Sequence, residues 1–400
     1  MIQTYWLSNL QIVLEDSVLE KGAIRVEDGM IAEIVEGEIS HESIDCRGLM
    51  AIPGIVDFHG DMLERDIEPR PGAFFPVELG IYELDKRLVA TGITTAFAAI
   101  SFSWDKGDLR RSENAMQIIR AVNEQRTSLL CDMRVHARFE VRNMNTIDLL
   151  TELLRDNQLH LVSLMDHTPG QGQYTDVDHY VRFMKRWMGA DTDLIDEGAI
   201  EKIKAKILEE AEVPRDWNLV KGMTDLAVRN GIVVASHDDD TIEKVNKMAE
   251  LGVTVSEFPV SFEAAEEARR LGMHVVMGAP NAYRGKSTSN NLSALEGVRN
   301  GLVDSLATDY YPAAPLQAAF KIAADGILPL PQALQLVTAN PADAVNLTDR
   351  GKIAVGKRAD LVLITHDYHH PRVHATFREG EAVYWDMFMA RLTNGAKVLS

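Results

Sequence analysis

Histidines and carboxylates stand at the ends of several apolar runs in this sequence. His59 and Asp61 end the first run at a spacing of two residues, and His237 begins a cluster with three aspartates after a later run. Alternate residues of a strand point the same way, so His59 and Asp61 could bind one ion together. Imidazole and carboxylate donors without thiolates suit zinc, manganese or iron, and their number allows two ions. The residues at the run ends are His59, Asp61, His136, Arg138, Glu140, Asp166, His167, His237, Asp238, Asp239, Asp240 and Asp309.

Each of these residues also has an ordinary structural explanation. A histidine at a strand end is more often hydrogen-bonded in place than bound to a metal, and His136 fits either a core position or contact with a ligand. Asp240 precedes Thr241 and could cap the next helix, so residues 238–240 could form a solvated turn. The metal interpretation depends on the coincidence of three histidines and three carboxylates where barrel enzymes place their chemistry.

The elements that would position these residues alternate between apolar strand-like runs and amphipathic helical windows. This alternation is typical of βα units around a parallel sheet. Eight strand-like runs predict a (β/α)8 TIM-like barrel, in which reactive side chains come from the C-terminal ends of the strands. The runs cover residues 51–58, 94–101, 129–141, 161–165, 232–236, 253–258, 274–277 and 305–308.

Short β-rich runs separated by turn residues occur near both ends of the chain. Residues 23–26 and 30–35 flank a turn signal at 27–29, and residues 359–364 and 372–377 have a similar texture. The economical interpretation is one small β-sandwich built from residues 1–50 and 350–400, with the barrel over 51–349. The stretch near 179–220 is longer than one crossover needs and predicts a helical insertion.

Composition argues against several classes of protein. The chain has 60 acidic and 41 basic side chains and a net charge of -19, which predicts no binding to nucleic acid or to an anionic membrane. Its 2 cysteines are too few for a disulfide scaffold or a thiolate metal cage. No signal peptide is recognisable, and the longest charge-free apolar stretch, 92–104, is shorter than the roughly 20 residues that cross a bilayer. We therefore expect a cytoplasmic protein, either a monomer or a homo-oligomer.

Two motifs resemble the amidohydrolase superfamily. PGIVDFH at 53–59 resembles its opening metal motif, and GKRADLV at 356–362 resembles its return into a terminal β-sandwich. Asp61 stands where the second histidine of the usual motif belongs, and no candidate for a carboxylated lysine is evident. The chain therefore resembles an unusual branch of the superfamily.

That branch is similar to the triphosphate diphosphatases of the carbon–phosphorus lyase pathway, through SLMDHTPGQ at 163–171, ASHDD at 235–239, MGAPN at 277–281 and DYYP at 309–312. The resemblance implies metal-dependent hydrolysis of α-D-ribose 1-methylphosphonate 5-triphosphate to the 5-phosphate and pyrophosphate. It implies one or two divalent ions, zinc first and manganese or iron as alternatives, and Asp309 as the residue that also accepts a proton from the attacking water. The implied metal ligands are His59, Asp61, Glu140, His167, His237 and Asp309.

Basic and amide side chains near the predicted barrel mouth could bind the triphosphate of a phosphorylated ribose. Arginine forks match phosphate oxygens, and a basic cluster is unexpected in an acidic chain. Taken singly, each basic residue is more often part of a surface ion pair. The candidates are Arg65, Arg70, Arg138, Asn281, Arg284 and Lys286.

Two other functions stay open. One is hydrolysis of a cyclic amide or of a nucleobase C–N bond, which is the commonest chemistry of the superfamily. The other is a catalytically silent barrel that serves as a binding or assembly subunit. Two features count against amide hydrolysis: Asp61 departs from the usual metal motif, and a neutral amide does not need a cluster of arginines. The complete set of ligands counts against the second.

Overall fold

The chain folds into a parallel barrel and a mostly antiparallel terminal sheet in a computed structural model. The structure describes residues 4–70, 72–102, 108–168, 172, 213–285, 291–365 and 370–393. The strands in these ranges are β1 Thr4–Val13, β2 Val18–Glu27, β3 Met30–Glu36, β4 Ile44–Asp45, β5 Met50–Pro53, β6 Ile55–Gly60, β7 Ile93–Phe102, β8 Asp132–Glu140, β9 Leu161–Met165, β10 Val233–His237, β11 Val255–Glu257, β12 His274–Gly278, β13 Ser305–Ala307, β14 Leu361–Thr365, β15 Arg372–Arg378 and β16 Glu381–Trp385.

Helices connect the barrel strands and pack their apolar faces against them. In the helix over Val77–Ala90, for example, Ile81, Leu84 and Leu88 are buried three and four residues apart. The helices of the described ranges are α1 Met62–Ile67, α2 Val77–Ala90, α3 Ser112–Gln125, α4 Ile147–Arg155, α5 Trp217–Arg229, α6 Ile242–Glu250, α7 Phe262–Arg270, α8 Ala279–Arg284, α9 Ala294–Arg299, α10 Ala314–Ala324, α11 Leu330–Gln335, α12 Ala339–Ala344 and α13 Met387–Thr393.

Strands β6 to β13 lie side by side in chain order, and every neighbouring pair is parallel. Backbone hydrogen bonds nearly close the circle, because Asp309 donates to the carbonyl of His59 at 3.0 Å and Asp61 donates to the carbonyl of Asp309 at 2.9 Å. The buried carboxylate of Asp57 accepts from the backbone nitrogen and the hydroxyl of Thr308 at 2.9 and 2.7 Å. The predicted eight-stranded barrel is confirmed.

The first predicted strand, 51–58, is in fact two strands that belong to different sheets. β5 pairs with β1 and β14 of the terminal sheet, whereas β6 pairs with β7 of the barrel. Gly54 separates the two and lies against Thr94, where a Cβ atom would be 2.3 Å from the threonine hydroxyl oxygen. Only glycine allows the backbone to approach so closely.

The terminal sheet combines segments from both ends of the chain, as the sequence predicts. Its strand order is β16-β15-β14-β5-β1-β2-β3, with β4 beside β1. Asp28 and Gly29, with φ of 50° and 78°, form the tight turn between β2 and β3. The sheet has an apolar cluster of its own, which includes Leu7, Ile24 and Phe377 and is separate from the barrel core.

Arginines and aspartates form an ionic network at the N-terminal end of the barrel strands. Asp132, the first residue of β8, is 2.8 Å from Arg126, 3.1 Å from Arg134 and 2.8 Å from Arg350, and Arg350 also donates to the hydroxyl of Thr95 at 2.8 Å. Burial raises the pKa of Asp132, but the three arginines outweigh it and hold the pKa well below its usual value. This end of a barrel serves stability, and the other end carries chemistry.

The predicted insertion near 179–220 lies outside the described residues, except for its last part. There, α5 begins at Trp217, and the side chain of Asp216 caps it by accepting from the backbone nitrogens of Asn218 and Leu219. Within the ranges that the structure describes, no helix has the length and apolarity needed to cross a membrane.

Candidate active site

Three strands turn at the barrel mouth through a residue with left-handed backbone conformation. Asp238 follows β10, Phe258 follows β11 and Asp309 follows β13 after one intervening residue, with φ of 54°, 55° and 57°. Non-glycine residues adopt this conformation uncommonly, aspartate more often than most, and such residues cluster at active sites as well as in tight turns. His237 and Glu257 directly precede the first two turns and are the last residues of their strands.

A first group of potential metal ligands consists of His59, His237 and Glu257. All three are buried, and their ligand atoms lie within 4.8 Å of one another. Nδ1 of His59 is 3.0 Å from Oε1 of Glu257, yet these two atoms and Nδ1 of His237 make no hydrogen bond within the described part of the chain. Buried polar atoms normally have partners. Unpaired ligand atoms that converge in this way fit a divalent cation.

Ser163 and His136 support the carboxylate of Glu257. The hydroxyl of Ser163 donates to Oε2 of Glu257 at 2.7 Å and contacts Nε2 of His136, which is 3.7 Å from Oε1 of the same carboxylate. One carboxylate oxygen is thus hydrogen-bonded and the other is left for a ligand. Burial lowers the pKa of His136 to about 3 and that of His237 to about 4, so both imidazoles are neutral at neutral pH.

A second group consists of His167, His237 and Asp238. Oδ2 of Asp238 is 3.2 Å from Nδ1 of His237 and 3.8 Å from Nε2 of His167, and it has no hydrogen-bond partner among the described residues. Glu140 fixes His167 by lying 2.9 Å from its Nδ1 and accepting from its backbone nitrogen at 3.1 Å. Because His237 belongs to both groups, the geometry fits one ion or two adjacent ions.

Asp61 and Asp309 lie side by side where β6 meets β13. Neither belongs to the two ligand groups above. Burial and then the charge of Asp61 raise the pKa of Asp309 to about 6. Oδ1 of Asp61 is buried and makes no hydrogen bond with the part of the chain that is described. A carboxylate with a pKa near 6 at the mouth of the barrel is suited to accept a proton.

Arg138 lies inside the mouth, next to the first ligand group. The residue is 9% exposed, and its Nη2 donates to Nε2 of His237 at 3.0 Å. Its Nε is buried and has no hydrogen-bond partner within the described ranges. A permanently charged guanidinium therefore borders the candidate metal site.

The other candidate phosphate-binding residues have different surroundings. Oδ1 of Asn281 accepts from the backbone nitrogen of Ala294 at 3.1 Å, so this side chain holds the start of α9. Lys286 lies outside the described residues. The remaining candidates, which are exposed, are Arg65, Arg70 and Arg284.

Glu257 was not assigned as a ligand from the sequence. The signal was present, because Glu257 is an acidic residue near the end of an apolar run, as the other candidates are. Arg215 was also missed. Its guanidinium donates twice to the carboxylate of Asp166, at 2.8 and 3.0 Å. No sequence signal connects the two residues, because 48 positions lie between them.

The interpretation of residues 238–240 as a solvated turn is wrong for two of the three. Asp238 and Asp239 are buried, with 5% and 0% exposure. Thr241, not Asp240, caps α6 with its side chain, and the carboxylate of Asp240 accepts from the backbone nitrogen of Gly172 at 2.8 Å. Asp238 and Asp239 are therefore enclosed by the protein rather than solvated.

The chain is similar to known proteins both in sequence and in fold. The sequence matches the model of the amidohydrolase family over residues 88–383. It is 37% identical over 389 residues to the α-D-ribose 1-methylphosphonate 5-triphosphate diphosphatase of Escherichia coli (strain K12), covering 94% of this chain and 100% of that protein. It is 24% identical over 409 residues to a dihydroorotase of Wolbachia sp. subsp. Drosophila simulans (strain wRi), covering 91% and 86%. The fold is similar to that of A. niger ochratoxinase, with a TM-score of 0.64, 14% identity and 97% of each chain covered.

The resemblance inferred from the motifs at 53–59 and 356–362 is confirmed. The family match spans most of the chain, and the barrel with its terminal sheet agrees with the fold of the similar solved structure. The chain belongs to the amidohydrolase family.

Proposed function

We propose that this protein hydrolyses α-D-ribose 1-methylphosphonate 5-triphosphate with a divalent metal, releasing pyrophosphate and leaving the 5-phosphate. The observation that carries the proposal is the similarity to the E. coli diphosphatase, which extends over nearly the whole of both chains. Cleavage between the α and β phosphorus gives these products, whichever of the two is attacked. The buried ligand atoms beside a guanidinium support it, because they suit a cation and a phosphoryl group together.

The residues that would hold a metal are His59, His237 and Glu257, with His167 and Asp238 available for a second ion. When bound, the ion supplies Lewis acidity towards phosphoryl oxygens and towards water. The donor set favours zinc, with manganese or iron as alternatives. The hydrogen bond from Ser163 to Glu257 and the contact between Glu140 and His167 orient these two ligands. Metal affinity commonly depends on such supporting hydrogen bonds.

Asp309 is the residue to which we assign proton transfer. Its carboxylate lies at the mouth with a pKa raised to about 6, so near neutral pH it is mainly ionised and still basic enough to take a proton from water. The hydrogen bonds from Thr308 to Asp57 fix the backbone that precedes it. The chain thus holds its base on the rigid seam between the first and last barrel strands.

Exposed guanidiniums at the rim would bind the outer phosphates. Arg65 and Arg70 follow β6 in the chain, and Arg284 ends the helix that follows β12. All three are exposed to solvent, and guanidinium forks pair well with phosphate oxygens. The protein as a whole carries a net charge of -19, so a polyanionic substrate needs such local compensation.

The similarity to a dihydroorotase favours a second candidate, hydrolysis of a cyclic amide. The guanidiniums at and inside the mouth argue against it, because a neutral ring does not require them. The Asp61 position, where the superfamily's usual motif has histidine, also argues for a divergent reaction.

A substrate panel tests the proposal. Metal-loaded protein is offered the ribose 5-triphosphate substrate, the matching 5-monophosphate and a cyclic amide, and pyrophosphate and ring opening are measured. We expect pyrophosphate from the triphosphate alone, loss of activity after chelation and recovery when metal is restored. Faster ring opening than pyrophosphate release would establish the rival reaction instead.

A further inference from the structure

Arg138 is a buried cation that makes no direct ion pair in the part of the chain that the structure describes. Only 9% of the residue is exposed, and within the described ranges it forms no ion pair with a carboxylate. Its Nη2 donates to His237, and its Nε–H has no partner there. A charge removed from water is unfavourable unless it is paired and hydrogen-bonded. Burial and then Asp61 raise the pKa of Asp309, and the charge of Arg138 opposes that rise without forming a direct ion pair with it. The guanidinium can therefore still take an anion in direct contact.

The hydrogen bond between Arg138 and His237 conflicts with metal binding by His237. A guanidinium only donates, so Nε2 of His237 must be the unprotonated nitrogen in this arrangement, and Nδ1 carries the proton. Coordination through Nδ1 would require the opposite tautomer, which points an N–H at the guanidinium. Coordination through Nε2 would require the ion at the position of the guanidinium. Either way, His237 binds a metal only after Arg138 has released it.

We propose that Arg138 exchanges partners, from His237 when no cation is bound to a phosphoryl oxygen when the metal is present. Metal and phosphoryl anion then bind with positive coupling, because the anion neutralises the guanidinium that the metal displaces. By linkage, each ligand raises the affinity for the other by the same factor. The phosphoryl nature of the anion rests on the proposed function, but the coupling itself does not depend on turnover.

Arg134 provides a matched control on the same strand. It precedes Arg138 by four residues and lies at the opposite end of the barrel, where it is paired with Asp132 at 3.1 Å. Its side chain is 18% exposed, so most of it is also enclosed by the protein. Substitution there removes an arginine from β8 without touching the ligand groups.

The test measures the affinity of the metal-free protein for manganese(II) by titration calorimetry. Each protein is titrated with chloride alone and with an excess of inorganic phosphate at matched ionic strength. We expect phosphate to tighten manganese binding by the wild-type protein and by Arg134→Met about tenfold, a typical size for coupling between two sites. In Arg138→Met we expect manganese binding in chloride at least as tight as in wild type, with a gain from phosphate below about twofold.

The sign of the effect separates this proposal from a purely structural role. If Arg138 merely held His237 in place, Arg138→Met would bind manganese more weakly in chloride, and that result would overturn the proposal. An equal phosphate gain in wild type and Arg138→Met would overturn it as well. If circular dichroism shows that Arg138→Met does not fold, Arg138→Gln replaces it. If phosphate does not tighten manganese binding by the wild-type protein, the proposal fails whatever the variants show. Coupling without any pyrophosphate release would defeat the proposed function and leave this inference intact.

Discussion

Glu257→Gln should abolish tight metal binding while leaving the barrel folded. Glutamine has the same shape as glutamate, and it removes the only negative charge in the group formed with His59 and His237. Oε2 of Glu257 already accepts from Ser163 at 2.7 Å, so Oε1, which is 3.0 Å from Nδ1 of His59, is the oxygen that an ion would contact. The substitution therefore changes the carboxylate oxygen of this ligand group that lacks a hydrogen-bond partner in the described structure.

The expected loss of metal affinity depends on which of the two carboxylate oxygens of Glu257 is affected. Removing a group that only positions a metal ligand lowers affinity by about 10- to 100-fold. Ser163→Ala is such a change, because it deletes the hydrogen bond to Oε2 and the contact with His136 but leaves the Glu257 carboxylate in place. Glu257→Gln removes the ligand charge itself, so the loss should be at least about 100-fold, or about 2.7 kcal/mol. Metal affinity should therefore decrease from wild type to Ser163→Ala and again from Ser163→Ala to Glu257→Gln.

Competition with a chromogenic chelator measures these affinities, and circular dichroism checks the fold. Glu152→Gln is a suitable control, because that carboxylate is exposed on α4, pairs with Arg120 at 3.5 Å and belongs to neither ligand group. We expect near wild-type affinity in the control. Metal binding by Glu257→Gln within about threefold of wild type would refute the assignment of Glu257, since even a positioning partner should cost more.

Three further outcomes are expected. Asp309→Asn should keep its metal and lose about 100-fold or more in pyrophosphate release, the scale of a positioned base, and near-normal turnover would mean that the proton goes elsewhere. Arg284→Ala should lower kcat/KM about tenfold with unchanged metal affinity, and an equal loss of both would contradict a role in phosphate binding. Burial, and then the charge of Arg126, lower the pKa of His160 to about 4, whereas its ordinary value is near 6.5. Between pH 6.5 and pH 4 this histidine is therefore protonated in the unfolded chain but not in the folded one. His160 alone should therefore contribute about 2 kcal/mol to the loss of unfolding free energy between pH 7 and pH 5, and urea titrations should show a loss smaller by that amount in His160→Leu than in wild type.

Much of the fold could be predicted, because eight apolar runs alternate with amphipathic windows and repeat one local pattern. The division of residues 51–58 could not, since apolar character does not reveal which sheet a strand joins. That division depends on the packing of Gly54 against Thr94, a contact between residues 40 positions apart. The adjacent Pro53-Gly54 pair is the local sign of a break.

Part of the candidate site could be predicted from the sequence, because many of its residues lie at the ends of predicted strands. His59, His167 and His237 come together at the barrel mouth, Glu140 contacts His167, and the carboxylates of the two candidate ligand groups are Glu257 and Asp238. Sequence spacing cannot distinguish a ligand from the residue that holds a ligand, because both lie at strand ends. The hydrogen bonds decide between them, and these depend on neighbours from other strands.

Phosphorus-31 NMR of the reaction tests the central claim most directly. Metal-loaded wild-type protein is incubated with α-D-ribose 1-methylphosphonate 5-triphosphate, and the phosphorus signals are followed over time. The account predicts that the triphosphate signals disappear while pyrophosphate and the 5-phosphate appear in equal amounts, with the phosphonate signal retained. Accumulation of orthophosphate in place of pyrophosphate, or an unchanged triphosphate in the presence of a metal-loaded protein, would contradict it.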